Sequence, residues 1–412
     1  MKNKNKILFI IVGSIAVITG LLTLFFYKPP VKPVKKEKIK KAIELKEVTH
    51  LELPPLSCQK LHFIISAIDT SISILQKRDE DFFSFLDKKI KRQSFINSLR
   101  ALKKDLEQGK DLSSSLRHSF QVFEVVHKDK KDALLVTGYY QPEFFASNSK
   151  DQTFKVPVLA TPNDLIYARL KDFDGTLPPI TLWGRLEDQR FLPYFDREEI
   201  ERRLAERPEI YPVLCWFKSP VDLLELQIQG SGIVHLDQDA RFIHYAASNG
   251  RAYTSLGRLL LKKGVLPIEK LDWQSIRQWA EKNPEKFRYF LSKNKRYVFF
   301  KWEERGPLGC FGQVLVAGVS AAFDRRVVPP ALPVVVDMSF PKLSNLSQGP
   351  KWLTCGNLER IGLFVMNHDT GSAIKGPFRM DLYTGTGSQA GYLAGHLKHR
   401  ARMFVFIPKV GQ

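Results

Sequence analysis

The sequence predicts a mainly β body of the α+β kind, with one domain built from two separated chain pieces, a second domain inserted between them, and a membrane helix in front. Three observations carry this expectation. Short strand-like runs crowd both ends of the body, from Ala133 and again from about Gly312. A mixed segment with helical periods lies between them. Ahead of both, the 21 uncharged residues Ile7–Tyr27 follow the N-terminal MKNKNK.

That apolar run makes the first element, 1–27, a membrane anchor. As a helix it spans about 31 Å, enough for the hydrocarbon core. It is long for a cleaved signal and no small-x-small site follows it, so an uncleaved anchor is the reading, with a cleaved signal as the alternative. Lys2, Lys4 and Lys6 precede the run, and seven lysines from Lys28 to Lys41 follow it. The positive-inside rule taken alone keeps the body in the cytoplasm. Residues 28–55, rich in Lys and Pro, read as a linker that holds the body off the membrane.

Residues 56–160 read as a helical stretch, Ser57 to Val126, followed by the first part of the split domain. LHFIISAIDTSISIL and SFINSLRALKKDL repeat apolar residues at helical steps. ALLVTGYYQPEF then reads as a strand running into a turn at Pro142, and VPVLATP as another strand. The inserted domain is expected over 161–308. Asp196 is a plausible N-cap for DREEIERRLAE. LLELQIQGSGIVHL alternates around Gly-Ser-Gly and reads as strand, tight turn, strand, with Gln227 and Gln229 on one face. SLGRLLLKKG and DWQSIRQWAEKN read as helices, and RYVFFKW as a strand. Over 309–412 the runs QVLVAGVSAAF, LPVVVDMSF, RIGLFVM, FRMDLY and ARMFVFIPK are expected strands. SQAGYLAGHLK is an expected helix capped by Ser388.

The net charge is +20, from 63 Lys and Arg against 43 Asp and Glu. It favours a polyanionic partner: nucleic acid, an anionic membrane surface or an anionic polymer. A basic surface without any such partner is the bland reading. The four cysteines, Cys58, Cys215, Cys310 and Cys355, are far apart and do not make a zinc site. They leave disulfides or buried free thiols open.

Two aspartates stand in glycine-rich surroundings near the C-terminus. In FRMDLYTG, Phe378, Met380 and Leu382 alternate with Arg379, Asp381 and Tyr383, so Asp381 falls on a polar strand face before a turn with Gly385 and Gly387. A solvent-facing aspartate paired with arginine is the plain alternative. Asp369 opens Asp-Thr-Gly-Ser, as in an aspartic protease. Such an enzyme needs two such loops sharing a proton, and this chain has one. The glycine spacing is not a dinucleotide fingerprint and lacks a Walker lysine. Gly230-Ser231-Gly232 lacks the frame of a serine nucleophile. Tyr139, Tyr140 and Gln141, with Gln227 and Gln229, supply the aromatics and amides that a sugar site uses.

Taken in order, VTGYYQPEF, LELQIQGSGIVHLD, YAASNGRAYTSLGRLL, VSAAFDRRVVPP, HDTGSAIKG and RMDLYTGTGSQAGYLAG resemble the membrane-bound lytic murein transglycosylase A family. The similarity runs from about Thr137 to Lys409. The C-terminal part is similar to that family's three-aspartate domain, whose acids fall on Asp324, Asp369 and Asp381. The resemblance implies a double-psi β-barrel made from both ends of the body, with a smaller inserted β domain and the glycan in the groove between them. It implies a lyase that cleaves the β-1,4 bond between N-acetylmuramic acid and N-acetylglucosamine in peptidoglycan. A 1,6-anhydro ring forms and no water is used. Asp381 takes the place of the catalytic acid, with Asp369 and Asp324 as supporting carboxylates. Substrate contacts fall on Tyr139, Tyr140, Gln141, Gln227, Gln229, Gly230, Ser231, Asn249, Tyr253, Lys375, Tyr383 and Gly385.

No metal or cofactor is implied. One carboxyl serves as acid and then as base, and its pKa must be raised by burial or by nearby acids. Arg379 is expected to face solvent or another acid, since a cation beside Asp381 lowers that pKa. The expected partners are peptidoglycan strands and, through the N-terminal helix, a membrane, with no nucleic acid. Cell-wall synthesis or division proteins are further candidates, and the chain is expected to be a monomer. This function puts the body outside the cytoplasm, against the positive-inside count. The alternatives left open are a non-catalytic peptidoglycan-binding wall protein and a β-1,4-glycan hydrolase.

Overall fold

The computed structural model describes residues 43–48, 56, 59–127, 134–237, 239–267, 273–339, 352–353, 360–371 and 373–409. The expected anchor helix, most of the expected linker, Cys58 and Cys355 lie outside these residues. Among the described residues no helix is long and apolar enough to cross a membrane. The described residues from Glu44 onward pack as one unit.

In chain order the first elements are β1 (Ile43–Glu47), α1 (Leu61–Gln76), β2 (Phe82–Phe85), β3 (Lys88–Lys91), α2 (Arg92–Glu107), α3 (Leu112–Ser119), β4 (Phe120–His127) and β5 (Leu134–Gln141). Next come β6 (Glu143–Ser147), β7 (Val156–Leu159), β8 (Ile166–Arg169), α4 (Leu170–Phe173), β9 (Thr181–Glu187), β10 (Arg190–Pro193), α5 (Arg197–Glu206) and β11 (Val213–Phe217). They are followed by α6 (Pro220–Gln229), β12 (Ser231–Leu236), β13 (Asp239–Ser248), α7 (Leu256–Lys262), α8 (Trp273–Lys282), α9 (Pro284–Ser292) and β14 (Val298–Glu303). The last are β15 (Ser320–Ala322), β16 (Pro333–Ser339), β17 (Arg360–Asp369), β18 (Arg379–Thr386), α10 (Ser388–His396) and β19 (Lys398–Pro408).

The first sheet runs β1-β4-β19-β16-β17-β15-β18-β5, and β5 pairs again with β19. The second pairing closes six of these strands into a barrel. It is mixed: β18 runs parallel to β5 and β15 parallel to β17, and the other pairs are antiparallel. Its strands come from both ends of the body because their sequences are nearly continuous apolar runs, suited to burial on both faces. β17 buries eight residues in succession. At roughly 1.5–3 kcal/mol for each large apolar side chain, such strands dominate the stability of the unit.

The second sheet runs β14-β13-β12-β6-β11-β7, and the bridge from Ala160 to Phe300 brings its two edges together. Phe144, Val158, Phe217, Val234, Ile243 and Phe300 fill its interior. A single residue, Pro142, separates β5 of the barrel from β6 of this sheet. The chain therefore crosses into the second sheet where the sequence suggested only a turn. It leaves after β14, and β15 is its next barrel strand. A small sheet of β8, β9 and β10 hangs on this insertion.

Several expectations are corrected. The stretch 57–126 is not helical throughout, since the hairpin β2–β3 and strand β4 interrupt it. β1 lies inside the expected linker, and Val48 N–H donates to Val122 O at 3.0 Å. QVLVAGVSAAF supplies only three strand residues, Ser320–Ala322. LLELQIQ is the helix α6, not a strand. Ser219 accepts from Val221 N–H, Pro220 fills the first turn, and Gly230 ends the helix at φ 84°. Gln227 and Gln229, two apart on a helix, therefore do not share a face. α10 has Gly387, not Ser388, at its N-cap. α5 keeps the expected Asp196 cap as a full capping box with Glu199.

Candidate active site

Strand register assembles the site. Asp369 on β17 lies opposite Ala322 on β15. Ala322 lies opposite Asp381 on β18, and Asp381 lies opposite Thr137 on β5. One row across four neighbouring strands thus reads Asp, Ala, Asp, Thr. At about 4.8 Å between strands, the two aspartate Cα atoms stand roughly 10 Å apart. The small Ala322 between them leaves room above the row.

The two carboxyls are held differently. Asp369 is well tied. Its Oδ1 accepts from Cys310 N–H at 3.0 Å and from Thr370 N–H at 2.8 Å, and its Oδ2 accepts from the Tyr139 hydroxyl at 2.8 Å. Asp381 accepts one side-chain hydrogen bond, from the Thr137 hydroxyl to Oδ1. Its Oδ2 has no protein donor among the described residues. Asp381 keeps some accessible surface although protein atoms surround the group on most sides.

Burial pushes Asp381 up from 3.8 to about 6, while the Thr137 bond and then the Arg379 charge act in the opposite direction. Burial also pushes Asp369 up to about 6, against its three hydrogen bonds, and the nearby Asp381 adds a smaller rise. The expected fate of Arg379 is corrected. Its Nη1 donates to the carbonyls of Leu135 at 3.3 Å and Met380 at 3.2 Å, so the side chain folds back along its own strand and stays within reach of Asp381. Asp324 does not join the row. It accepts from Arg326 at 2.8 and 2.6 Å and from Gly376 N–H at 2.8 Å, and it is held below the usual carboxylate range because these donors outweigh its burial.

Behind the row lies a histidine that the sequence reading passed over. His368 is fully buried, with Nδ1 2.7 Å from Ser320 Oγ and Nε2 2.7 Å from Ser71 Oγ. Burial pulls it down to about 3, so it stays neutral and links α1 to the barrel. Thr137 was missed as well. Its signal is the parallel register of β5 with β18, which no local pattern encodes.

The remaining residues divide into groups. Tyr139 and Tyr383 face each other with ring centroids 5.5 Å apart. The Tyr383 hydroxyl lies 3.1 Å from Thr386 Oγ1, and burial raises that phenol to about 12. Gln141 is buried beside them and accepts from Thr386 at 3.1 Å, while its Nε2 has no partner among the described residues. Tyr140 donates to the buried Glu225, which also accepts from Arg277 at 2.5 Å. Gln229 accepts from Tyr140 N–H at 3.3 Å. These contacts join the barrel to the second sheet.

Gln227 is turned inward, accepting from Arg197 at 2.5 Å. Asn249 is also inward, donating to Phe195 O at 2.9 Å and Lys295 O at 2.8 Å and accepting from Tyr297 N–H at 2.9 Å. Both amides are thus taken up by structure. Gly230 caps α6 and Ser231 opens β12. Tyr253 and Lys375 are exposed. Gly385 has φ 118°, and a Cβ there would lie 3.4 Å from Ala317 and 3.6 Å from Ala390, so it faces protein rather than open space. Cys215 and Cys310 are free thiols.

Fold and site together define a β-barrel protein with a protonatable carboxyl set in its wall and a second β unit strung on it. The profile of the MltA specific insert domain matches residues 135–301, and that of the 3D domain matches residues 319–407. The chain belongs to the membrane-bound lytic murein transglycosylase A family. It is 29% identical over 303 residues to the membrane-bound lytic murein transglycosylase A of Vibrio cholerae, covering 72% of each chain. Its fold is similar to the crystal structure of a membrane-bound lytic murein transglycosylase from Agrobacterium tumefaciens. The TM-score is 0.72 and the identity 25%, over 89% of this chain and 98% of that one. It is also similar in fold to Escherichia coli MltA with bound chitohexaose, with a TM-score of 0.63, 22% identity, and coverage of 89% and 94%.

Proposed function

We infer that this chain is a lytic transglycosylase that cleaves the β-1,4 bond between N-acetylmuramic acid and N-acetylglucosamine in peptidoglycan. The observation that carries the mechanism is Asp381: raised to about 6, fixed through one oxygen by Thr137, and free at the other. In its protonated form Asp381 gives its proton to the glycosidic oxygen as the C1–O bond breaks. The muramic C6 hydroxyl attacks C1 and returns its proton to the Asp381 carboxylate. The C6–O–C1 bond closes a 1,6-anhydro ring, and no water enters. Asp369, tied by three donors, is suited to hold Tyr139 and the loop at Cys310 in place rather than to exchange protons.

The barrel is read as a double-psi barrel, and the glycan as lying between it and the inserted unit. The crossings at Pro142 and after Glu303 favour limits nearer 143–303 than 161–308 for that insertion. The names of the relatives, and the uncharged run Ile7–Tyr27, support a membrane-anchored body outside the cytoplasm.

Mass spectrometry of peptidoglycan digested by the purified protein tests this reading. Anhydromuramyl products are expected. Reducing ends would make the protein a hydrolase, and no release would make it a binding protein.

A further inference from the structure

Cations gather near Asp369: Arg78 and Arg325 both act on the thiol of Cys310, whose N–H bonds Asp369, and Lys375 lies by the neighbouring Asp324. Cys310 N–H donates to Asp369, and next to it the Phe311 ring lies 5.0 Å beneath the Arg78 guanidinium. Phe323 N–H donates to Asp369 O at 3.2 Å, and the Thr370 hydroxyl donates to Phe323 O at 3.0 Å. Arg325 and Arg326 follow two and three residues later. Gly376 N–H donates to Asp324 at 2.8 Å, which fixes the neighbouring Lys375 beside that pair.

The charges are not equally matched. Arg326 is closed into a two-bond pair with Asp324. Among the described residues Arg78 has one ion pair, at 4.0 Å with Glu80, which is 56% exposed. Arg325 and Lys375 are exposed and form no ion pair or hydrogen bond among the described residues. They are also close enough to repel. Burial first, then Arg326 and Arg325, hold Lys375 below its ordinary value, against the pull of Asp324. Cations kept together in excess of their counter-charges, with Asp324 already closed by Arg326, are an arrangement for an anion that arrives from outside.

We propose that Arg325 and Lys375, with Arg78 behind them, form a carboxylate-reading rim at the active-site mouth that selects glycan strands bearing anionic muramyl substituents over neutral strands. This rests on the transglycosylase reading and names the chemistry its substrate carries. A muramyl residue offers carboxylates from one of two sources: those of the peptide stem while it is attached through an amide to the lactyl group, or the lactyl carboxylate itself once the stem is removed. Either suits a rim of this kind, whereas a chitin-type oligomer has nothing to offer it.

The test compares wild type with Arg325→Gln, Lys375→Gln and the double variant on three ligands: stem-bearing strands, strands stripped of stems by an amidase, and chitohexaose. The double variant is expected to raise KM for anhydro-product release from stem-bearing strands by about tenfold, roughly the effect of one lost charged contact per residue. Chitohexaose affinity should stay within about twofold, and the KM difference should shrink in high salt. Because the amidase frees the lactyl carboxylate as it removes the stem, a KM effect that persists on stripped strands means that the rim reads either carboxylate, and one that disappears confines it to the stem. An equal loss for chitohexaose, or no change on any strand, overturns the proposal. If wild type itself releases no anhydro product, the functional reading fails instead, and that outcome is separable from the others.

Discussion

The barrel and the inserted sheet both wrap six strands around an apolar interior, yet one row of the barrel holds a buried carboxyl as neither unit does elsewhere among the described residues. In the insertion the two buried charged groups among the described residues, Arg197 and Glu225, are saturated. Arg197, 2% exposed, donates to Asn294 O, Arg296 O and Gln227. Glu225, 4% exposed, takes Tyr140 and Arg277. In the barrel, Asp337 is likewise closed by Arg360 at 2.7 Å. The row from Asp369 to Thr137 departs from this rule. There Asp381 is surrounded by protein, given one hydroxyl and left with an oxygen open. A saturated charge holds structure together, whereas an unsaturated one is available for proton transfer. The contrast supports our proposal that the chemistry lies in the barrel wall.

The largest way to break that contrast short of removing the acid itself is Gly309→Ala. A Cβ at Gly309 would lie 2.3 Å from His368 O, a backbone atom that cannot step aside. The Cys310 N–H would leave Asp369 and the row would shift. A fall of about 100-fold in kcat is expected, as for displacements near 1 Å, together with a lower Tm. Near-normal kcat in a folded variant would mean that the Asp369 loop does not position the site.

Glu225→Gln probes the other unit. It keeps the shape but removes the charge between Tyr140 and Arg277, loosening the join between barrel and insertion. KM should rise about fivefold with little change in kcat, since a loosened join affects substrate binding more than the chemical step. A kcat effect without a KM effect would place Glu225 in the chemistry.

Thr137→Val sharpens the account at the acid. Asp381 must be protonated to start, so kcat/KM should fall as pH rises through about 6. The Thr137 bond favours the charged form, so its loss should move this descending limb to higher pH, with a few-fold lower maximum. A limb that moves down, or stays, contradicts the assignment.

Asp381→Asn should also alter stability. A carboxyl raised from 3.8 to about 6 on folding lowers stability as pH rises between those values and keeps it lower above them. The amide removes that cost, at most about 3 kcal/mol, so a higher Tm is expected at pH 7 and little change at pH 3.

Much of the fold was readable where one signal acted alone. The capping box at Asp196 and the apolar runs of β16, β17 and β19 fixed their elements locally. The alternation around Met380 placed Asp381 on the right face. The misreadings share a cause. In LLELQIQ both a two-residue and a helical period are present, and the Ser219-Pro220 start and Gly230 stop decide for helix. β4 was hidden because its partner, β19, lies nearly the length of the body away in sequence. The pairing of Thr137 with Asp381 likewise depends on register between distant strands. That Gln227 and Asn249 turn inward follows from Arg197 and the carbonyls of Phe195 and Lys295, which no local pattern announces.

The central claim, that one carboxyl serves as acid and then as base, is tested most directly by the rate of anhydromuramyl release from purified strands, compared among wild type, Asp381→Asn and Asp369→Asn. Asp381→Asn should lose at least about a thousandfold while remaining folded, and Asp369→Asn should retain measurable turnover. Full activity in folded Asp381→Asn, or a more complete loss in folded Asp369→Asn, would contradict it.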